Sequence, residues 1–148
     1  MPMPRNESSI EIAAPPAKVR EVLLNFPALR DWHQGFIRSL AVQDSSKTPE
    51  SLVPGDKVEA DIEGQKFTAE VKENSESLFA WQGPPVFTVS GRHEFRMDAT
   101  KEGTATIFTQ SEDLSGPLSF LMSPSLLGRM MKSDFARFNE DLKMKAES

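Results

Sequence analysis

Three polar residues fall on otherwise apolar sides of alternating segments, and they are the residues of this chain best suited to chemistry. In Arg92–Asp98, His93 shares a side with Phe95 and Met97. In Thr104–Glu112, the side that holds Thr106 and Phe108 also holds Gln110 and Glu112, and Leu114 continues it. Ile107 competes for the inside, and a bulge would shift that second register. Imidazole titrates near neutral pH and can act as a general base, while a neighbouring carboxyl orients it or serves as acid. His93 with Glu112 therefore suits removal of a proton beside a carbonyl and its delivery to a departing hydroxyl, as in aldol cyclisation or dehydration. The other reading is architectural. Buried polar groups need partners, and a bond from His93 to Glu112 or Gln110 would bridge strands with no substrate involved.

The rest of the inventory is restrictive. The 148 residues hold no cysteine, no tyrosine and two histidines, with 17 basic against 22 acidic side chains for a net charge of −5. Without cysteine there are no disulfides, thiolate nucleophiles or iron–sulfur clusters, and few ligands for zinc, so neither metal nor cofactor is expected. The acidic balance argues against a nucleic-acid groove. No apolar run approaches the roughly 20 residues of a membrane span, and Met1–Ser8 lacks the apolar stretch of a secretory signal, so a cytoplasmic protein is the expectation. Phosphate-binding loops, the Gly-x-Ser-x-Gly elbow and His-Glu-x-x-His are absent.

These residues must be held by elements that the periodicity outlines. The length fits one domain, expected over residues 9–146 behind a flexible tail at 1–8. Ile10–Ile12 reads as a short strand, and Pro16 opens a helix over 16–25 carrying Val19, Val22 and Leu23. Pro27 stops it, and a second short helix over 28–33 places Leu29 and Trp32, leaving His33 at a solvent-facing end. Strands follow at 37–43, 57–63, 67–72, 78–82, 92–98 and 104–112, with Gly64-Gln65 as a two-residue hairpin connection. Ser123-Pro124 caps a long C-terminal helix whose apolar stripe is Leu126, Leu127, Met130, Met131, Phe135, Phe138 and Leu142. Arg129, Lys132, Asn139, Glu140 and Lys143 form its wet face. The class is α+β, with an antiparallel meander of six to seven strands.

Four stretches in this order carry a resemblance: Ile10-Glu11-Ile12-Ala13-Ala14-Pro15-Pro16-Ala17-Lys18-Val19, Phe26-Pro27-Ala28-Leu29-Arg30-Asp31-Trp32-His33, Gly91-Arg92-His93-Glu94-Phe95-Arg96, and Gly103-Thr104 followed by Gln110-Ser111-Glu112-Asp113-Leu114-Ser115-Gly116. Together they resemble the START-like or Bet v 1-like superfamily (SRPBCC), in its polyketide cyclase/dehydrase-like branch. The resemblance implies a helix-grip fold, in which a curved sheet wraps a long C-terminal helix around an internal cavity. It implies much less about chemistry, because that superfamily holds carriers, sensors and cyclases alike.

Such a cavity would be walled by Phe67, Ala69, Phe79, Trp81, Phe95, Phe108, Met130 and Met131, with Gln110 beside the candidate catalytic pair, His93 and Glu112. Trp32, with Phe36 nearby, is a candidate lid, whereas Trp81 serves either as a pocket wall or as core packing. The small inward residues Ala60 and Ala69 favour open space. The expected partner is a hydrophobic, ring-containing small molecule such as a lipid or polyketide. A cofactor-free cyclase or dehydratase with His93 as base, and an interaction module with a filled core, stay open beside it, as do monomer and homodimer.

Overall fold

Alternation of apolar and polar residues builds seven strands, and turn chemistry sets where each one ends. The computed structural model describes residues 5–84, 90–116 and 128–148, with side chains on the last segment from Lys132 onward. The first strand, β1, is Arg5–Ile12. It begins inside the expected tail, because Arg5–Ser8 pairs antiparallel with Asp113, Glu112, Ser111 and Gln110 of the last strand and buries Asn6. Helix α1, Pro16–Leu24, starts on a proline whose missing N–H is no loss in a first turn. The Pro15 carbonyl accepts from the Lys18 and Val19 amides instead. A 3-10 turn at Phe26–Ala28 and the single turn α2, Leu29–Trp32, carry the chain across to the far edge of the sheet.

There the meander starts: β2 Ile37–Val42, β3 Lys57–Ile62, β4 Gln65–Asn74, β5 Leu78–Gln82, β6 Ser90–Thr100 and β7 Ala105–Ser115. The order β1-β7-β6-β5-β4-β3-β2 is antiparallel throughout, so the first strand closes one edge beside the last. The β3–β4 connection is Glu63-Gly64, one residue earlier than expected. Both residues take left-handed φ angles, 54° and 89°, as a tight two-residue hairpin demands. Asp61 Oδ1 accepts the Gly64 amide at 2.8 Å and holds the turn.

Helix α3, Gly128–Glu147, packs against β1, β7 and α1. The expected cap at Ser123-Pro124 lies outside the described residues. Phe135, Phe138 and Leu142 are buried as the stripe required, each contributing about 1.5–3 kcal/mol over exposure. Asn139 is not on the wet face: it is 1% exposed, one turn beyond Phe135. His33 is a second correction, fully buried rather than solvent-facing. Its ring lies edge-on to Phe138 at 4.7 Å, Nδ1 bonds Asp141 Oδ2 at 2.8 Å, and Nε2 accepts the Ile37 amide. Gly35 makes this possible, since a Cβ there would stand 2.6 Å from the His33 ring. No helix among the described residues is long and apolar enough to cross a membrane.

Candidate functional site

Strand register gathers the expected residues into rows on the inner face of the sheet. Phe79, Phe95 and Gln110 stand side by side across β5, β6 and β7, and Ser8 of β1 completes the row. The next row is Trp81, His93, Glu112 and Asn6. The register of β7 is the expected one: Phe108 and Gln110 are fully buried, while Ile107 lies half-buried on the opposite side.

His93 is the junction of this face. It is 4% exposed, stacked on the Trp81 indole at 5.2 Å and 19°, with the edge of Phe135 at 5.1 Å. Its Nδ1 lies 2.8 Å from Glu112 Oε2 and its Nε2 lies 2.8 Å from Gln110 Oε1. Both bonds weighed from the sequence therefore exist at once. The line continues inward, as Gln110 Nε2 donates to Asn139 Oδ1 at 3.1 Å and Asn139 Nδ2 donates to the Ser8 carbonyl at 2.9 Å. Five residues from β1, β6, β7 and α3 thus form one hydrogen-bonded line through an apolar interior, with its buried amides matched as burial requires.

Glu112 is one end of this line, with 22% of its side chain exposed. Its carboxyl lies over Gly91, where any side chain would collide with Oε1. The φ of Gly91 is not left-handed, so space and not backbone freedom is what glycine supplies here. Phe67, half-buried, and Ala69, fully buried, sit on β4, two strands from β6, and the Phe67 ring is 3.7 Å from the place a Gly83 Cβ would take. Small residues and a partly exposed carboxylate thus meet at one end of the inner face.

The middle of that face is filled. Phe95 packs on Phe108 and Phe138, and Phe36 packs on Phe135 and Phe138, at centroid distances of 5.7 to 6.2 Å. Phe36 is accordingly core, together with Phe79. Trp32 is half-buried and edge-on to Phe138, and it lines a surface groove with Lys18, Val22, Asn25, Ala28 and Lys145, away from the His93 row. The side chains of Met130 and Met131 lie outside the described residues. Sequence reasoning missed Asn139 and Gly91. Asn139 was detectable by position, falling between Phe135 and Leu142 on the apolar stripe, but its polarity placed it in water.

Comparison with known proteins agrees with this architecture. Residues 3–147 match the family described as polyketide cyclase / dehydrase and lipid transport. No curated protein matches the sequence. Among solved structures, a hypothetical protein from Helicobacter pylori superposes with a TM-score of 0.77 at 12% identity, covering 98% of this chain and 89% of that one. The Zhui aromatase/cyclase from a Streptomyces species gives 0.67 at 16% identity, over 98% and 94% of the two chains. A START superfamily protein from Mycobacterium smegmatis gives 0.60 at 16%, over 96% and 92%. At these identities the likeness speaks for the helix-grip fold alone.

Proposed function

The chain belongs to the polyketide cyclase/dehydrase and lipid-transport family, and from that premise we propose that it binds a hydrophobic, ring-bearing small molecule at the Glu112 end of its inner sheet face. The observation that carries this reading is the Glu112 carboxyl, partly exposed over Gly91 and held from behind by His93. A carboxylate set in the row of Trp81 and His93, with only 22% of its side chain exposed, is costly unless it meets polar groups. Flat apolar walls with a single fixed polar group are how pockets hold and orient rings. The aromatic packing in the middle of the face supports this end, rather than the whole length of the helix, as the site. The 2.8 Å His93–Glu112 contact also favours a second reading, acid–base cyclisation or dehydration by the same pair.

Native mass spectrometry of the chain purified from its own source tests the binding reading. A discrete added mass is expected, together with its loss in a folded Ala69→Trp variant, whose indole would intrude on the inner face of the sheet. Retention of the full added mass by that variant, or failure of the wild type to retain any aromatic ligand, overturns it. Recovery of the bound molecule after incubation separates the two readings, since a catalyst returns it altered.

A further inference from the structure

The direction of every hydrogen bond behind Glu112 follows from one backbone atom. The Ser8 carbonyl oxygen can only accept, so the Asn139 amide must present its NH2 group there. Asn139 Oδ1 is then an acceptor facing Gln110, which must donate through Nε2. Gln110 consequently turns Oε1 toward the imidazole, and His93 Nε2, 2.8 Å away, has to carry a hydrogen. Nδ1 stands equally close to Glu112 Oε2, an approach that requires one more hydrogen between ring and carboxyl. Reversing any link would set two acceptors, or two donors, face to face along a line whose His93, Gln110 and Asn139 are buried.

This arrangement leaves His93 no lone pair to offer a bound molecule. What the line leaves over Gly91 is Glu112 Oε1, which accepts no hydrogen bond from any described residue in the bonds formed by this side chain. We propose that Asn139, acting through Gln110, fixes the hydrogen on His93 Nε2 and so makes Glu112 Oε1 a dedicated acceptor, selecting ring-bearing ligands that carry a hydroxyl donor, a phenol or an enol. The selection rests on the binding reading above, whereas the hydrogen-bond direction does not. Gln110 and Asn139 are positioning residues, and Glu112 is the residue that meets the ligand. A site built to take a hydroxyl rejects the analogue lacking it far more strongly than a greasy pocket can, because the acceptor is left unmatched.

Two readouts on the full chain test this. Nitrogen-resolved NMR of the imidazole shows which ring nitrogen is protonated, and titration with naphthol against its methyl ether shows whether a donor is required. Nε2 is expected to carry hydrogen in the wild type, and naphthol to bind at least about tenfold more tightly than the ether. In Asn139→Leu the Gln110 amide is free to turn, so protonation of Nε2 becomes partial and the preference shrinks. Asn139→Asp, whose protonated acid offers the same acceptor and donor, restores both. A bare Nε2 in the wild type overturns the proposal, as does equal affinity for the two ligands or a folded Asn139→Leu that behaves as wild type. If neither ligand binds, the binding reading and the selection fail together, and the wild-type spectrum alone judges the hydrogen-bond direction. The wild-type readouts stand whether or not Asn139→Leu folds.

Discussion

Gly91 matters to the site through what it lacks. Its missing side chain is the room in which the Glu112 carboxyl lies. Gly91→Ala is expected to displace that carboxyl from His93, leaving Nδ1 unmatched and costing about 1–2 kcal/mol in urea unfolding. Affinity for a ring-bearing ligand should fall by about tenfold. Wild-type affinity in a folded Gly91→Ala would remove the carboxyl from the site. The sequence places Gly91 two residues before His93 on the same face, yet it cannot say that the neighbouring strand sends a carboxyl into that space. His93, Gln110 and Glu112 were legible because period-two alternation assigns faces without any knowledge of partners. His33 was not. It follows a helix end in a polar stretch, and only the third dimension brings Asp141 and the Ile37 amide to its two nitrogens.

At the level of elements, strands were legible to within a few residues and the turns less so. The β3–β4 hairpin puts a glutamate where a left-handed backbone is required, at φ 54°. Glu63 also faces Asp134 on α3, and burial, with Glu63 next, holds the Asp134 carboxyl above its ordinary range. Asn is the residue best suited to the first position of such a turn, and it carries no charge. Glu63→Asn is therefore expected to stabilise the fold by about 0.5–1 kcal/mol, read as a higher urea midpoint. An unchanged or lower midpoint would mean that the glutamate makes compensating contacts. Asn139 shows the opposite limit of pattern reading. Its helical position was right for burial and its residue type wrong, and burial prevailed because Ser8 and Gln110 match both ends of its amide.

Across the whole molecule, the fold class was legible because strand, two short helices, meander and long helix follow one another in an order few folds share. The pairing of β1 beyond Ile10 was not, since Arg5-Asn6-Glu7-Ser8 has no apolar signal and gains its order from β7. The acid response of the fold can be stated from His33. Burial lowers its pKa from 6.5, with the Asp141 bond opposing, so the folded state holds fewer protons than the unfolded chain. Stability from this residue is complete above about 6.5 and is lost as pH falls toward the lowered folded value. Urea unfolding at about pH 7.5 and about pH 5.5 should show that loss, and His33→Gln should show less of it. An identical pH slope in the variant would assign the loss to the carboxylates.

The neighbourhood of β1 and β7 also has a meaning in time. Arg5 and Asp113 are joined side chain to side chain although 108 residues separate them, and Ser8 closes the polar line only when both β7 and α3 are present. On the ribosome, the first strand must wait with open edges while its partner is still being made. A nascent chain stalled before α3 can assemble the meander, but it has no Asn139 to set the direction of the Gln110 amide. The oriented polar line is thus completed only once α3 docks, so a chain lacking that helix holds it unfinished.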